Sequence, residues 1–179
     1  MSSPDSQQPE QPASDIPAQQ LSAFVEGLYS SNLRFGIWCY LIDGSEPVHG
    51  FIDDPRSTLT HNMVEYHGVL ELFRSLPEES VLTLSSDSKI VMLQLSGRKK
   101  VHSQNLADII SACQSVIRRK HIVVTYELIP KSSNLAGLQL DKNRVEWSAE
   151  HDFDIPVVIP ATGRKPASSK AILPDKGAV

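Results

Sequence analysis

The chain has 179 residues with a formal net charge of −4, 40 % apolar and 21 % charged side chains, the profile of one soluble domain with a full core. No apolar run has the length of a membrane span, and the N-terminus has neither a hydrophobic signal core nor Arg-rich transit character; an intracellular, cytoplasmic protein with no membrane partner is expected. Cys39 and Cys113 lie far apart in apolar segments and without zinc-site spacing, as free buried thiols do.

Residues 1–20 are rich in Ser, Gln and Pro, carry Asp5, Glu10 and Asp15 with no basic side chain, and predict a disordered tail. Ala23-Phe24-Val25 is a short extended piece, followed by Glu26-Gly27-Leu28-Tyr29 and the turn-like Ser30-Ser31-Asn32. Arg34 to Ile42 is aromatic and β-favouring. Asp43-Gly44-Ser45 turns it back into a second hairpin strand, Pro47 to Ile52. A helix follows from about Asn62 to Leu76, stopped by Pro77. Asn62, Tyr66, Val69, Phe73 and Leu76 share its apolar face. Glu65 stands about 60° from the centre of that face and Glu71 on the opposite side, so Glu65 is placed to meet a strand end and Glu71 to meet water.

Val81-Leu82-Thr83-Leu84 predicts a buried strand that runs into Ser85-Ser86-Asp87-Ser88 and a short helix holding Ile90, Val91, Leu93 and Leu95. Asp87 thereby lies at the carboxyl end of a strand, where open α/β sheets place their sites; a plain helix cap is the competing role. Residues 95–120 carry six basic side chains, Arg98, Lys99, Lys100, Arg118, Arg119 and Lys120, against Asp108 alone. Such a segment in an acidic chain suits a polyanion or a solvated face. A helix from about Ser103 to Arg119 turns Leu106, Ile109, Ile110, Cys113 and Ile117 inward. Ile122 to Ile129 predicts a strand ended by Pro130, and Asn134 to about Glu150 a helix interrupted by Gly137. His61, His67 and His102 carry no evident metal-ligand spacing, and Trp38 and Trp147 are assigned to the core. The order β-β-β-α-β-α-α-β-α is an α/β domain over residues 21–150, with a mostly disordered tail over 151–179 whose apolar piece Ile155–Ile159 could engage a protein partner.

Five ordered pieces make residues 22–145 resemble a type 1 ribonuclease H. They are Ala23 to Tyr29, Thr58 to Tyr66, Ser86 to Val91, Gln94-Leu95-Ser96-Gly97 and Ile129 to Gly137. The resemblance implies a five-stranded mixed sheet in the order 3-2-1-4-5 flanked by helices. It also implies an acidic site for two Mg2+ or Mn2+ ions that hydrolyses RNA paired to DNA. The chemistry is coherent: paired hard cations activate a water and stabilise the leaving oxygen, and take sparse carboxylate ligands. Matched by motif, the four acidic positions fall on Glu26, Glu65, Asp87 and Leu138. Glutamate replaces aspartate at the first and leucine replaces it at the last, while Asp141, one turn further on, is a weak substitute ligand. Lys131-Ser132-Ser133 also lacks the histidine that many relatives carry there. Asn62, Lys89, Arg98, Lys99 and Lys100 are the expected nucleic-acid contacts, with capping of its own helix the competing role for Asn62. Asp43-Gly44-Ser45 spells the first-strand motif in a register that leaves too little chain for the following strands. A catalytically weakened or inactive module that binds nucleic acid or protein is the alternative to a nuclease.

Overall fold

The computed structural model describes residues 19–151 except 55 and 57, and the side chains only to Asn143. The tails, Ile155–Ile159 and the Trp147 side chain lie outside the described residues. A sheet of five strands has the order β3-β2-β1-β4-β5, built from β1 (Gln20–Ser30), β2 (Phe35–Ile42), β3 (Val48–Asp53), β4 (Val81–Ser86) and β5 (Val123–Leu128). The helices are α1 (His61–Ser75), α2 (Lys89–Leu95), α3 (Gln104–Lys120) and α4 (Leu135–His151), with a 3-10 turn at Lys131–Ser133. The expected sheet order and mixed strand directions are present: β1 pairs antiparallel with β2 and parallel with β4.

β1 is longer than expected because it pairs with β2 along its whole second half, from Ala23↔Ile42 to Ser30↔Phe35. Its carboxyl half also outruns β4, since the parallel pairing stops at Phe24↔Ser85. Glu26 and Asp87 therefore each stand two residues beyond the last β1–β4 pair, in the crevice that opens where β1 leaves β4. Asp43 is exposed in the β2–β3 turn, with Gly44 at φ 75. Its Asp-Gly pair is turn chemistry, remote in role from the crevice.

The main core lies on one face of the sheet, where Tyr66, Val69, Leu72 and Phe73 of α1 and Ile110, Cys113 and Val116 of α3 meet Val25, Leu82 and Leu84. Trp38 packs against this core. On the other face, Ala136 and Leu140 of α4 pack on Ile37 and Cys39, flanked by Phe24 and Phe35. Cys39 and Cys113 are free thiols. Burial first, with Glu26 adding to it for Cys39, pushes both up to about 12, so neither is a nucleophile at neutral pH.

Candidate active site

The entry to α1 is set by Asp54, which is buried and accepts from Thr58 N at 2.8 Å, Leu59 N at 2.9 Å and Tyr29 Oη at 2.9 Å. Burial opposes the Asp54 charge, but the Leu59 and Thr58 amides outweigh it and hold the carboxyl below its usual range. The loop before α1 is thus tied to β1. Thr60, not Asn62, caps the helix, accepting from Met63 N at 3.3 Å. Asn62 sits half-buried in the first turn.

α1 comes into close backbone contact with β1 at Gly27. A Cβ there would lie 2.6 Å from Glu65 N and 2.9 Å from Glu65 Cα, so any side chain would force the helix outward. This contact draws Glu65 toward Glu26 across the strand. Glu65 is 4 % exposed and its Oε2 accepts from Ser88 Oγ at 2.8 Å. Ser88 is the α2 cap residue but makes no side-chain capping bond; its hydroxyl serves Glu65 instead. Glu71, expected to meet only water, pairs with Arg74 at 2.6 Å on the surface.

Glu26 Oε1 accepts from Gly27 N at 3.0 Å, and Oε2 from Asn134 Nδ2 at 3.1 Å. The same Asn134 amide nitrogen lies 2.7 Å from Asp87 Oδ1 and 3.1 Å from the Val25 carbonyl. Asn134 is fully buried, and its two amide hydrogens face three acceptors, so two of these oxygens share a hydrogen. Burial, then Asp87, pushes Glu26 up to about 8; burial, with Asp87 adding to it against the Ser88 hydroxyl, pushes Glu65 up to about 7.

A cleft of about 130 Å3 opens over these groups, lined by Glu26, Glu65 and Asp87 together with His61, Ser88, Lys131, Gly137 and Asp141. Leu138, the position matched by motif to the fourth carboxylate, is 50 % exposed and does not line it. Ala136 and Leu140 must face the sheet, which turns Gly137 and, one turn on, Asp141 toward the cleft. A Cβ on Gly137 would stand 3.0 Å from Glu26 Oε2. The longer Glu26 side chain thus fills space that the missing side chain at 137 leaves open.

Sequence reasoning left His61, Lys131, Ser88 and Asn134 without a role in the cleft. For His61 the signal was present: it precedes Glu65 by four residues on one helix, and the two side chains meet at 3.7 Å. Lys89 and Arg98 border a different groove, between α2 and β5, and Arg98, Lys99 and Lys100 are exposed. Their loop is anchored by Gln94, which accepts from Tyr66 Oη at 2.8 Å and donates to the Lys100 carbonyl at 3.1 Å.

The raised carboxyls make stability depend on pH. In the unfolded chain Glu26 and Glu65 return to about 4.5. The folded state therefore binds their protons more tightly. Their contribution is complete below about pH 4.5 and is lost as pH rises through about 7 and 8. The thermal midpoint in chelator is expected to fall by a few degrees more between pH 5 and 8.5 in the native chain than in Glu26→Gln. Parallel curves for the two proteins would refute the assignment.

No described protein family and no curated protein matches the sequence. The fold does match solved structures. The N-terminal RNase H domain of Rv2228c from Mycobacterium tuberculosis has a TM-score of 0.61 at 19 % identity, covering 76 % of this chain and 100 % of that one. RNase H1 from the halophilic archaeon Halobacterium salinarum NRC-1 has 0.58 at 16 % identity, covering 71 % and 98 %. LC11-RNase H1, solved in complex with RNA/DNA hybrid, has 0.57 at 15 % identity, covering 67 % and 92 %. The chain has the ribonuclease H-like fold. Among the described residues no helix is long and apolar enough to cross a membrane.

Proposed function

We propose that the chain is a metal-dependent nuclease that hydrolyses the RNA strand of RNA/DNA hybrids at the cleft of Glu26, Glu65 and Asp87. The observation that carries this reading is the meeting of three carboxylates from β1, α1 and the end of β4 in one open crevice. A divalent cation fits the donor set: two of the acids are largely desolvated and pushed far up, and the Asn134 amide alone cannot satisfy the oxygens around it. Glu26, Glu65 and Asp87 would hold Mg2+ or Mn2+, leaving the solvent side for water and phosphate oxygens. Bound there, such ions supply water activation and stabilise the leaving oxygen.

The chain's own groups do the rest. Ser88 fixes one Glu65 oxygen, so that carboxylate presents the other to the cleft. Asn134 keeps Glu26 and Asp87 side by side against their mutual repulsion. Lys131 on the cleft wall attracts the scissile phosphate. Asn62, half-buried in the first turn of α1, contacts the backbone of a bound strand in this reading. Lys89, Arg98, Lys99 and Lys100 supply a second, salt-sensitive contact to the partner strand. Asp141 is the fourth acidic group that α4 brings to the cleft.

Two observations favour a second reading, a binding module: Gly137 brings no carboxylate to the cleft, and Asn134 occupies the junction between Glu26 and Asp87. A labelled RNA/DNA hybrid incubated with Mg2+, Mn2+ or chelator separates the two. Cleavage of the RNA strand in either metal, and none in chelator, is the expected result. Tight hybrid binding with no cleavage in any metal leaves the module.

A further inference from the structure

We propose that His61 is a ligand of the cation held by Glu26 and Glu65, and that this mixed nitrogen–oxygen set favours a borderline transition-metal ion such as Co2+ over Mg2+. The proposal rests on the metal-dependent reading above and deepens it by naming the class of ion. One donor atom each from Glu26, His61 and Glu65 lies within 4.8 Å of the other two. Ligands about 2.1 Å from a common ion stand at most about 4.2 Å apart, so small side-chain adjustments close the set.

Two of the three walls are fixed. Glu65 is buried and held by Ser88, and Glu26 is held by Asn134 and its neighbouring amide. The third is adjustable, because the His61 side chain is 53 % exposed at the first residue of α1. An ordinary surface pair one turn apart accounts for His61 beside Glu65. It does not account for Glu26, which arrives from β1 within the same reach. Imidazole nitrogen suits borderline transition metals, whereas Mg2+ takes oxygen ligands and keeps its waters. A nitrogen ligand therefore separates the two classes of ion at a site that carboxylates alone would not.

The test uses the full chain with the metal alone. Co2+ is titrated by its visible absorption, and Co2+, Mn2+ and Mg2+ affinities are measured by calorimetry, for the native protein, His61→Asn and His61→Gln. Matching thermal midpoints in chelator show that the exposed position tolerates both changes. The ratio of Co2+ to Mg2+ affinity is expected to fall at least about tenfold in both variants. The Co2+ bands should shift with loss of nitrogen ligation, while Mg2+ affinity changes by less than about threefold. An unchanged ratio, or equal loss for all three ions, overturns the role of His61. The nuclease reading fails separately, through absent cleavage by a protein that still binds Co2+ with His61 engaged.

Discussion

Asp87→Asn is expected to abolish cleavage and to remove the rise in thermal midpoint that Mg2+ or Mn2+ confers, while leaving the metal-free protein equally or more stable. Asp87 sits against the charge of Glu26 and Glu65 and raises both their carboxyls. Asparagine keeps the size and an oxygen to accept from Asn134, now 2.7 Å away, but removes that repulsion. An ion at a hundred times its dissociation constant stabilises the folded chain by about 2.7 kcal/mol. Most of that gain should vanish with one of three carboxylates gone. The loss of turnover should exceed roughly 10²–10³-fold, the cost of removing a single preorganised oxyanion-hole donor. Melting curves in chelator and in millimolar Mn2+, run beside the hybrid assay, check all three parts. A variant that still responds to Mn2+ like the native chain would place the ion elsewhere.

A double substitution at Glu26 and Gly137 is the second large effect. Glu26 Oε2 lies where a Cβ at 137 would come to 3.0 Å, so the long acid on the strand and the absent side chain on the helix share one space. Glu26→Asp alone withdraws its oxygens by more than about 1 Å, a misplacement that can cost on the order of 10²-fold in rate. Gly137→Asp alone crowds a second carboxylate against the first and should weaken folding in chelator. Together they should recover activity beyond either single variant, with a coupling of about 1–3 kcal/mol. Glu26→Asp with Leu138→Asp should bring no such recovery, because Leu138 points to solvent. Simple additivity at 26 and 137 would refute the shared space.

Much of this architecture was legible in the order of residues. Period-two and period-3.6 patterns placed the helices and every strand but β1 within a few residues of their observed ends, since each element buries a face of its own sequence. Asp87 was legible as the end of a buried strand, and Glu65 as the margin of an apolar helical face. Asp43-Gly44 could be set aside because a two-residue turn explains it and the chain length forbids the other register.

What the tertiary structure alone decided is how side chains from distant segments share a few ångströms. Motif spacing pointed to Leu138, but the phase of α4 is set by Ala136 and Leu140 burying against Ile37 and Cys39, and that rotation faces Gly137 and Asp141 into the cleft. His61 belongs to the site because Gly27 lets α1 settle onto β1, which brings Glu26 within reach of both His61 and Glu65. Asn134 acquires its role only where β1, β4 and α4 converge, 108 residues from Glu26 and 47 from Asp87. The sequence by itself determined the elements, their order and which acids border a core. Packing between elements decided which of those acids meet, because helix rotation and close approach depend on the partner surface and not on local periodicity.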